Sequence, residues 1–374
     1  MATTSNPIPA AAPPHFLADV YTFNWSELNW QLPLVSASAV ALCLFTGIFL
    51  GHPGGALLAG GGALTVGFGA NQRIADSRLI PMLFAVFSTS TASLIGSVAG
   101  HSSYVLLVAA ALSAFIYGIL TTRNTGLSWV GQQASVALLV SSAFPSNLRL
   151  ALTRAGLIAL GSLVQLIVTS IGLRLIPSLD NDILASRTSL YASLEQQRRD
   201  ILSSLYELPQ SLPALSRDAA LGYSLRLVLT ISIATEIYHH LDIQSGYWIP
   251  MTALLVQKPA FFETLSRASA RVLGTILGAW LCSLLIAQVV PSPWVLAAFT
   301  TLFALLAFAT NAVNYALFTA SLTSYIVFLL SLNQIPGSVI AHRRAWCTAL
   351  GAAVALLIHL DALRRHHRAS TTVL

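Results

Sequence analysis

Arg154 and Arg344 stand in equivalent surroundings in two distant stretches of the chain. Arg154-Ala155 is followed by Ala159-Leu160-Gly161, and Arg344-Ala345 by Ala349-Leu350-Gly351. A guanidinium holds its charge at any ordinary pH and grips a carboxylate through two parallel N–H bonds. A related pair facing one central path would suit an organic anion. Snorkelling of both side chains to the membrane surface is the plainer alternative. Arg226 is a third cation within an apolar run, where an ionisable group is unfavourable and marks a substrate path unless it reaches the interface. It lies about two turns from the end of its run, so both readings stay open.

Proton coupling needs a titratable group near such a path. Glu236, close to the end of an apolar run, with His239 and His240 just beyond, is the candidate. A carboxylate in low dielectric binds a proton more readily, and histidine titrates near neutral pH. A boundary glutamate beside a solvated loop is the bland alternative. Single histidines such as His101 and His359 read as structural. The chain has no phosphate-cradling P-loop, no His-Glu-x-x-His and no Gly-x-Ser-x-Gly. Enzymatic activity and a cofactor are therefore not expected. Cys43, Cys282 and Cys347 each sit alone in an apolar run, with neither disulfide nor metal-ligand spacing.

The elements that must position these groups follow from composition. Hydrophobic residues make up 55% of the 374, and charged ones 9%, with a mean hydropathy of +0.74. Soluble domains carry about 25% charge, so the expected solvent is a lipid bilayer. The net charge of +6 is spread along loops and does not point to nucleic acid. Runs long enough to cross, about 20 residues each, fall into two sets of six. The first comprises 32–50, 54–70, 79–99, 103–121, 127–144 and 150–176. The second comprises 220–238, 246–259, 268–289, 293–310, 314–331 and 342–361. Tyr104–Val168 lies on Trp294–Ile358 without a gap, matching Asn124 to Asn314 as well as the arginines and glycines above. The expected fold is an all-α integral membrane protein of about twelve transmembrane helices in two six-helix repeats.

Basic residues set the orientation. With the N-terminus inside, the inner loops hold Arg73, Arg78, Arg123, Arg174, Arg198, Arg199, Lys258, Arg267 and Arg364 among others, and the outer loops Arg149, Arg154, Arg343 and Arg344. Both termini are predicted to be cytoplasmic, in a bacterial inner membrane. An even number of spans per half makes the repeats parallel. The expected units are an N-terminal segment with an interfacial helix (1–30), the first membrane repeat (31–176), an amphipathic cytoplasmic linker (177–218), the second repeat (219–361) and a basic tail (362–374). No secretory signal is expected in the Ala- and Pro-rich start.

Two runs are short and broken at corresponding places. The second opens Gly51-His52-Pro53-Gly54-Gly55 and continues through Gly60-Gly61-Gly62. The eighth is Tyr247-Trp248-Ile249-Pro250-Met251-Thr252, ending at Lys258-Pro259. Glycine weakens a helix and lets another group approach; proline removes a backbone donor. Interrupted spans at matching positions mark binding sites in transporters, which makes Tyr247, Trp248, Pro250 and Thr252 candidate substrate contacts. An interfacial aromatic belt and tight helix packing are the alternative.

Tyr247 through Val256, Pro259, and then Arg271-Val272-Leu273-Gly274-Thr275-Ile276-Leu277-Gly278 resemble the signature of the fusaric-acid-resistance (FUSC) family. That family includes bacterial aromatic-acid exporters and is distantly similar to plant aluminium-activated malate transporters. Arg271 and Thr275 belong to the signature, and Gly274 and Gly278 form a Gly-x-x-x-Gly packing face. The resemblance implies efflux of small aromatic or other organic acids, driven by the proton-motive force. A passive organic-anion channel remains open as an alternative, as does a membrane scaffold or an intramembrane enzyme acting on lipid. Expected partners are a small organic anion, the bilayer, a periplasmic adaptor protein as some relatives use, and a second copy of the chain.

Overall fold

A computed structural model describes residues 17–74, 77–121, 123–175, 219–241, 243–288, 292–333 and 335–371. Among them the chain is all-helical, with thirteen α-helices. They are α1 (Ala18–Tyr21), α2 (Gln31–Phe49), α3 (Pro53–Gly67), α4 (Leu79–Ala99), α5 (Ser103–Thr121), α6 (Thr125–Ser142) and α7 (Leu148–Leu175). After the linker come α8 (Ala219–His240), α9 (Trp248–Val256), α10 (Phe261–Gln288), α11 (Pro293–Thr310), α12 (Tyr315–Ser331) and α13 (Gly337–Thr371).

Helix starts follow local chemistry. The side chains of Asn124 and Asn314 accept from Leu127 N and Leu317 N, each at 3.0 Å, and so start α6 and α12. Ser292 does the same for α11, whose first residue is Pro293. Each cap satisfies a backbone donor that the helix cannot and contributes about 1 kcal/mol. Gly51, at φ 75°, makes the turn from α2 into α3, a conformation costly for any other residue.

Seven helices are long and apolar enough to span a membrane: α2, α4, α5, α7, α8, α10 and α11. This is a multi-pass membrane protein, but fewer helices than the expected twelve meet that standard. At 17 residues α12 is a shorter apolar helix. Gln132 and Gln133 lower the hydropathy of α6. With 15 and 9 residues, α3 and α9 reach roughly 22 and 14 Å, short of a bilayer core of about 30 Å. In α9 the cause is visible: Gln257 turns to extended backbone (ψ 125°) ahead of Lys258-Pro259. Large apolar side chains such as Leu42, Val108, Leu160, Leu229, Trp280 and Leu302 point outward, as a lipid-facing surface requires.

Without a strong hydrophobic drive between helices in lipid, close packing holds such a bundle together. In the N-terminal half α4 packs on α6 and α7, and α3 on α7; in the C-terminal half α10 packs on α12 and α13, and α9 on α13. Between the halves α5 packs on α8, and α11 on α2. The apolar cores cross this boundary. One joins Val40 and Leu44 to Ala304 and Phe328; another joins Leu106 and Leu138 to Leu227 and Leu254.

The expected interfacial helix before Trp30 is reduced to α1 and a 3-10 turn at Trp25–Glu27. Its backbone is taken up by neighbours instead. The Asn314 amide reaches the carbonyls of Asp19, Val20 and Thr22, Asp19 N donates to Ser266, and Asn24 N donates to Val313 O. The expected amphipathic linker lies outside the described residues, as does the end of the tail.

Candidate functional site

A cavity of about 470 Å³ lies between α3, α4, α6 and α7, closed on one side by Tyr247 and the end of α12. It lies at the end of α12 opposite Asn314, which holds residues 17–30, the N-terminal strap. Its position follows from three local features. Gly54, Gly61 and Gly62 strip α3 of side chains along one wall, and a Cβ at Gly61 would meet nothing within 4 Å. Thr89, Ser93 and Ser97 bring hydroxyls from α4, and Ser93 bonds Ser141 of α6 at 2.7 Å. Leu57, Leu58, Val136, Val140, Leu157 and Ile158 make the remaining wall apolar.

Arg154 is the one arginine in this lining. Its Nη1 donates to Phe144 O at 2.6 Å, which fixes the guanidinium near the mouth. The ring of Tyr247 lies 6.0 Å from that of Phe144. A cavity of a few hundred Å³ with apolar walls, some hydroxyls and one cation can enclose a small apolar or aromatic molecule and orient its carboxylate.

Of the residues predicted from sequence, Arg154 and Tyr247 line the cavity. Arg344 does not. It is buried with its guanidinium 4.1 Å over the ring of Trp248, and its Nε donates to Thr323. Trp248 in turn lies 4.8 Å from Tyr247, so this aromatic pair links Arg344 to the cavity that Arg154 lines. Pro250 and Thr252 are buried in α9, with Thr252 against Gly351 of α13. Arg226 is elsewhere, bonding His359 Nε2 at 2.6 Å and Pro259 O at 3.4 Å. Glu236 lies 3.4 Å from His240 and is half-exposed, and the His239 ring stacks on Tyr238. Arg271 is buried and donates to Tyr315 OH at 3.0 Å. Gly274 and Gly278 lie against the Ala316 and Ala320 carbonyls of α12, and Thr275 is buried beside them.

Sequence reasoning did not single out Gln133, Asn333 or the Ser93–Ser141 pair, all of which line the cavity. The adjacent amides Gln132-Gln133 within an apolar run were the available signal, since polar groups in a membrane helix turn toward protein or water.

Residues 232–358 match the family described as fusaric acid resistance protein-like, and this stretch, from α8 into α13, is a domain of that kind. The chain is also similar to two curated bacterial proteins. It is 29% identical to the uncharacterized protein slr1298 of Synechocystis sp. over 146 residues, 39% of this chain and 19% of that one. It is 33% identical to the uncharacterized protein ORF2 of Neisseria gonorrhoeae over 137 residues, 36% of this chain and 32% of that one. The chain thus covers less than a third of the length of either relative. No solved structure matches it.

Proposed function

We propose that this protein exports small aromatic or other apolar organic acids across a bacterial inner membrane, using the proton-motive force. The observation that carries the reading is the cavity, apolar and hydroxyl-lined with Arg154 at its mouth. The likeness of the C-terminal half to fusaric acid resistance proteins supports the same class of cargo. With the basic loops and both termini inside, the cavity opens outward, as a release state should. Glu236, within reach of His240, is the proposed proton carrier, with His239 beside it.

The two halves, 31–176 and 219–361, are read as parallel repeats about an axis normal to the membrane. Two sets of contacts support this. Asn124 and Asn314 make the same cap. Gly161 of α7 receives the Ala59 carbonyl of α3, and Gly351 of α13 receives the Ile249 carbonyl of α9, at the sequence offset that relates Arg154 to Arg344. The short α3 and α9 are then the broken pair, and movement of α3 against α7 would open or close the cavity.

The test is uptake of labelled 4-hydroxybenzoate and fusaric acid into inverted vesicles. Accumulation should need an imposed pH gradient and collapse with a protonophore. Flux that follows only the anion gradient and voltage would replace the exporter with a channel, and absence of flux with a wider panel of acids would reject transport. Glu236→Gln should flatten the pH dependence; an unchanged pH profile removes Glu236 as the carrier.

A further inference from the structure

The C-terminal half holds two arginines in its interior that nothing described neutralises. Arg271 and Arg344 are 2% and 1% exposed. Among the described residues the carboxylates in ion pairs are Asp19, with Arg267, and Glu236, with His240. Glu263, also on α10, is exposed two turns before Arg271. Burying a cation without a counter-charge is strongly unfavourable, in a membrane above all.

The polar atoms around them are also unsatisfied. Arg271 Nε and Arg344 Nη1 are buried without a partner, and so are the hydroxyls of Thr275 and Thr319. Tyr315, Thr319 and Thr323 follow one another at one-turn intervals on α12. Tyr315 takes a bond from Arg271, Thr323 takes one from Arg344, and Thr319 between them takes none. The three residues form a column spanning about 12 Å along α12, with a guanidinium bonded at each end and the free hydroxyl of Thr319 between. Buried donors are normally paired, so the two guanidiniums call for an acceptor.

We propose that this column is a second anion site, distinct from the cavity, and that it binds a small monovalent anion. The limit on size comes from Trp248. At the repeat offset it corresponds to Leu58, which lines the cavity, and its larger ring lies under Arg344 and occupies that side of the second bundle. Two guanidiniums and a hydroxyl beside that ring match the chemistry of a halide or a small carboxylate. The inference needs the second bundle alone and stands whether or not the cavity carries cargo.

The test is thermal unfolding of the purified full chain in detergent at constant potassium, replacing gluconate, whose polyol is too bulky for the column, by chloride or by acetate. Binding to the folded state raises Tm saturably. The expected result is such a rise, abolished in Arg344→Gln and Arg271→Gln and shifted to about fivefold higher anion concentration in Thr319→Val, which removes one hydroxyl at constant shape. A response to chloride alone assigns the site to halide from the medium. A response to acetate alone assigns it to a small carboxylate rather than to halide. A response to both makes it a general small-anion site. Should the arginine variants fail to fold, Thr319→Val carries the test. A flat Tm in both anions overturns the proposal, and so does a rise that Thr319→Val leaves unchanged. Gly61→Leu, which alters only the cavity, should leave the titration as in the parent.

Discussion

The Arg344 guanidinium lies 4.1 Å above the Trp248 ring, and that ring leans against Tyr247, which lines the cavity holding Arg154. The indole therefore touches both a buried cation and a residue of the cavity wall. A cation over an indole gains about 2 kcal/mol when desolvated. Trp248→Leu, which copies Leu58 of the first half, should lower stability by about 2–4 kcal/mol through the lost stack and the space left behind. Trp248→Phe keeps a ring under the guanidinium and should lose less. Thermal unfolding of the two variants checks the order.

Arg154 is in a different position, half-buried and held by one backbone carbonyl. Arg154→Gln should cost little stability, about 1 kcal/mol for that bond, while raising the KM for 4-hydroxybenzoate at least tenfold. Arg154→Lys keeps the charge without the fork and should fall between. Vesicle flux measured against substrate concentration separates these from the parent. A KM unchanged in Arg154→Gln would remove the arginine from the site.

Two glycines on neighbouring helices should behave in opposite ways. A Cβ at Gly61 of α3 meets nothing within 4 Å, whereas one at Gly161 of α7 runs into the Ala59 carbonyl, which is rigid backbone. Gly61→Leu should fold normally, since leucine is also the better helix former, and should block the cavity and abolish flux. Gly161→Ala should force α7 from α3 and lower Tm with reduced yield of folded protein. Size-exclusion profiles, unfolding curves and flux together test the pair.

These contrasts also mark what the sequence disclosed. Composition and run length implied a multi-pass helical membrane protein because apolar content in a long chain has few other solutions. The match of Asn124 with Asn314 was visible as letters, and the caps they form follow from asparagine chemistry alone. The pairing of Arg154 with Arg344 was visible too, but not that one would line a cavity and the other lie under an indole. Leu58 lines the cavity while Trp248, its counterpart in the proposed repeat, lies under Arg344, a contrast that appears only once α3 and α9 are packed. Seven described helices are long and apolar enough to span on their own, and the short eighth run, legible as broken in the sequence, ends where Gln257 turns into extended backbone after α9. The cavity hydroxyls escaped notice because serine and threonine within membrane helices bond their own backbone, and nothing local distinguishes those that face a void.

The two asparagine caps offer a last comparison. Asn124 and Asn314 accept the same bond at 3.0 Å, yet Asn314 is buried and its amide nitrogen reaches the carbonyls of Asp19, Val20 and Thr22. One side chain thus starts α12 and fastens the N-terminal strap, where Asp19 also pairs with Arg267 at 3.4 Å and Arg267 covers the Tyr315 ring. Loss of the cap alone, in Asn124→Ala, should cost about 1 kcal/mol. Asn314→Ala should cost about 2–3 kcal/mol, because it also leaves strap carbonyls without a donor. Asp19→Asn removes an ion pair whose members are each about a third exposed, and should change stability by less than about 1 kcal/mol. Limited proteolysis supplies the independent readout. Cleavage between residues 17 and 30 should speed up in Asn314→Ala, remain slow in Asn124→Ala, and change little in Asp19→Asn. Equal cleavage in both asparagine variants would mean that the strap is held by its other contacts and that Asn314 acts only as a cap.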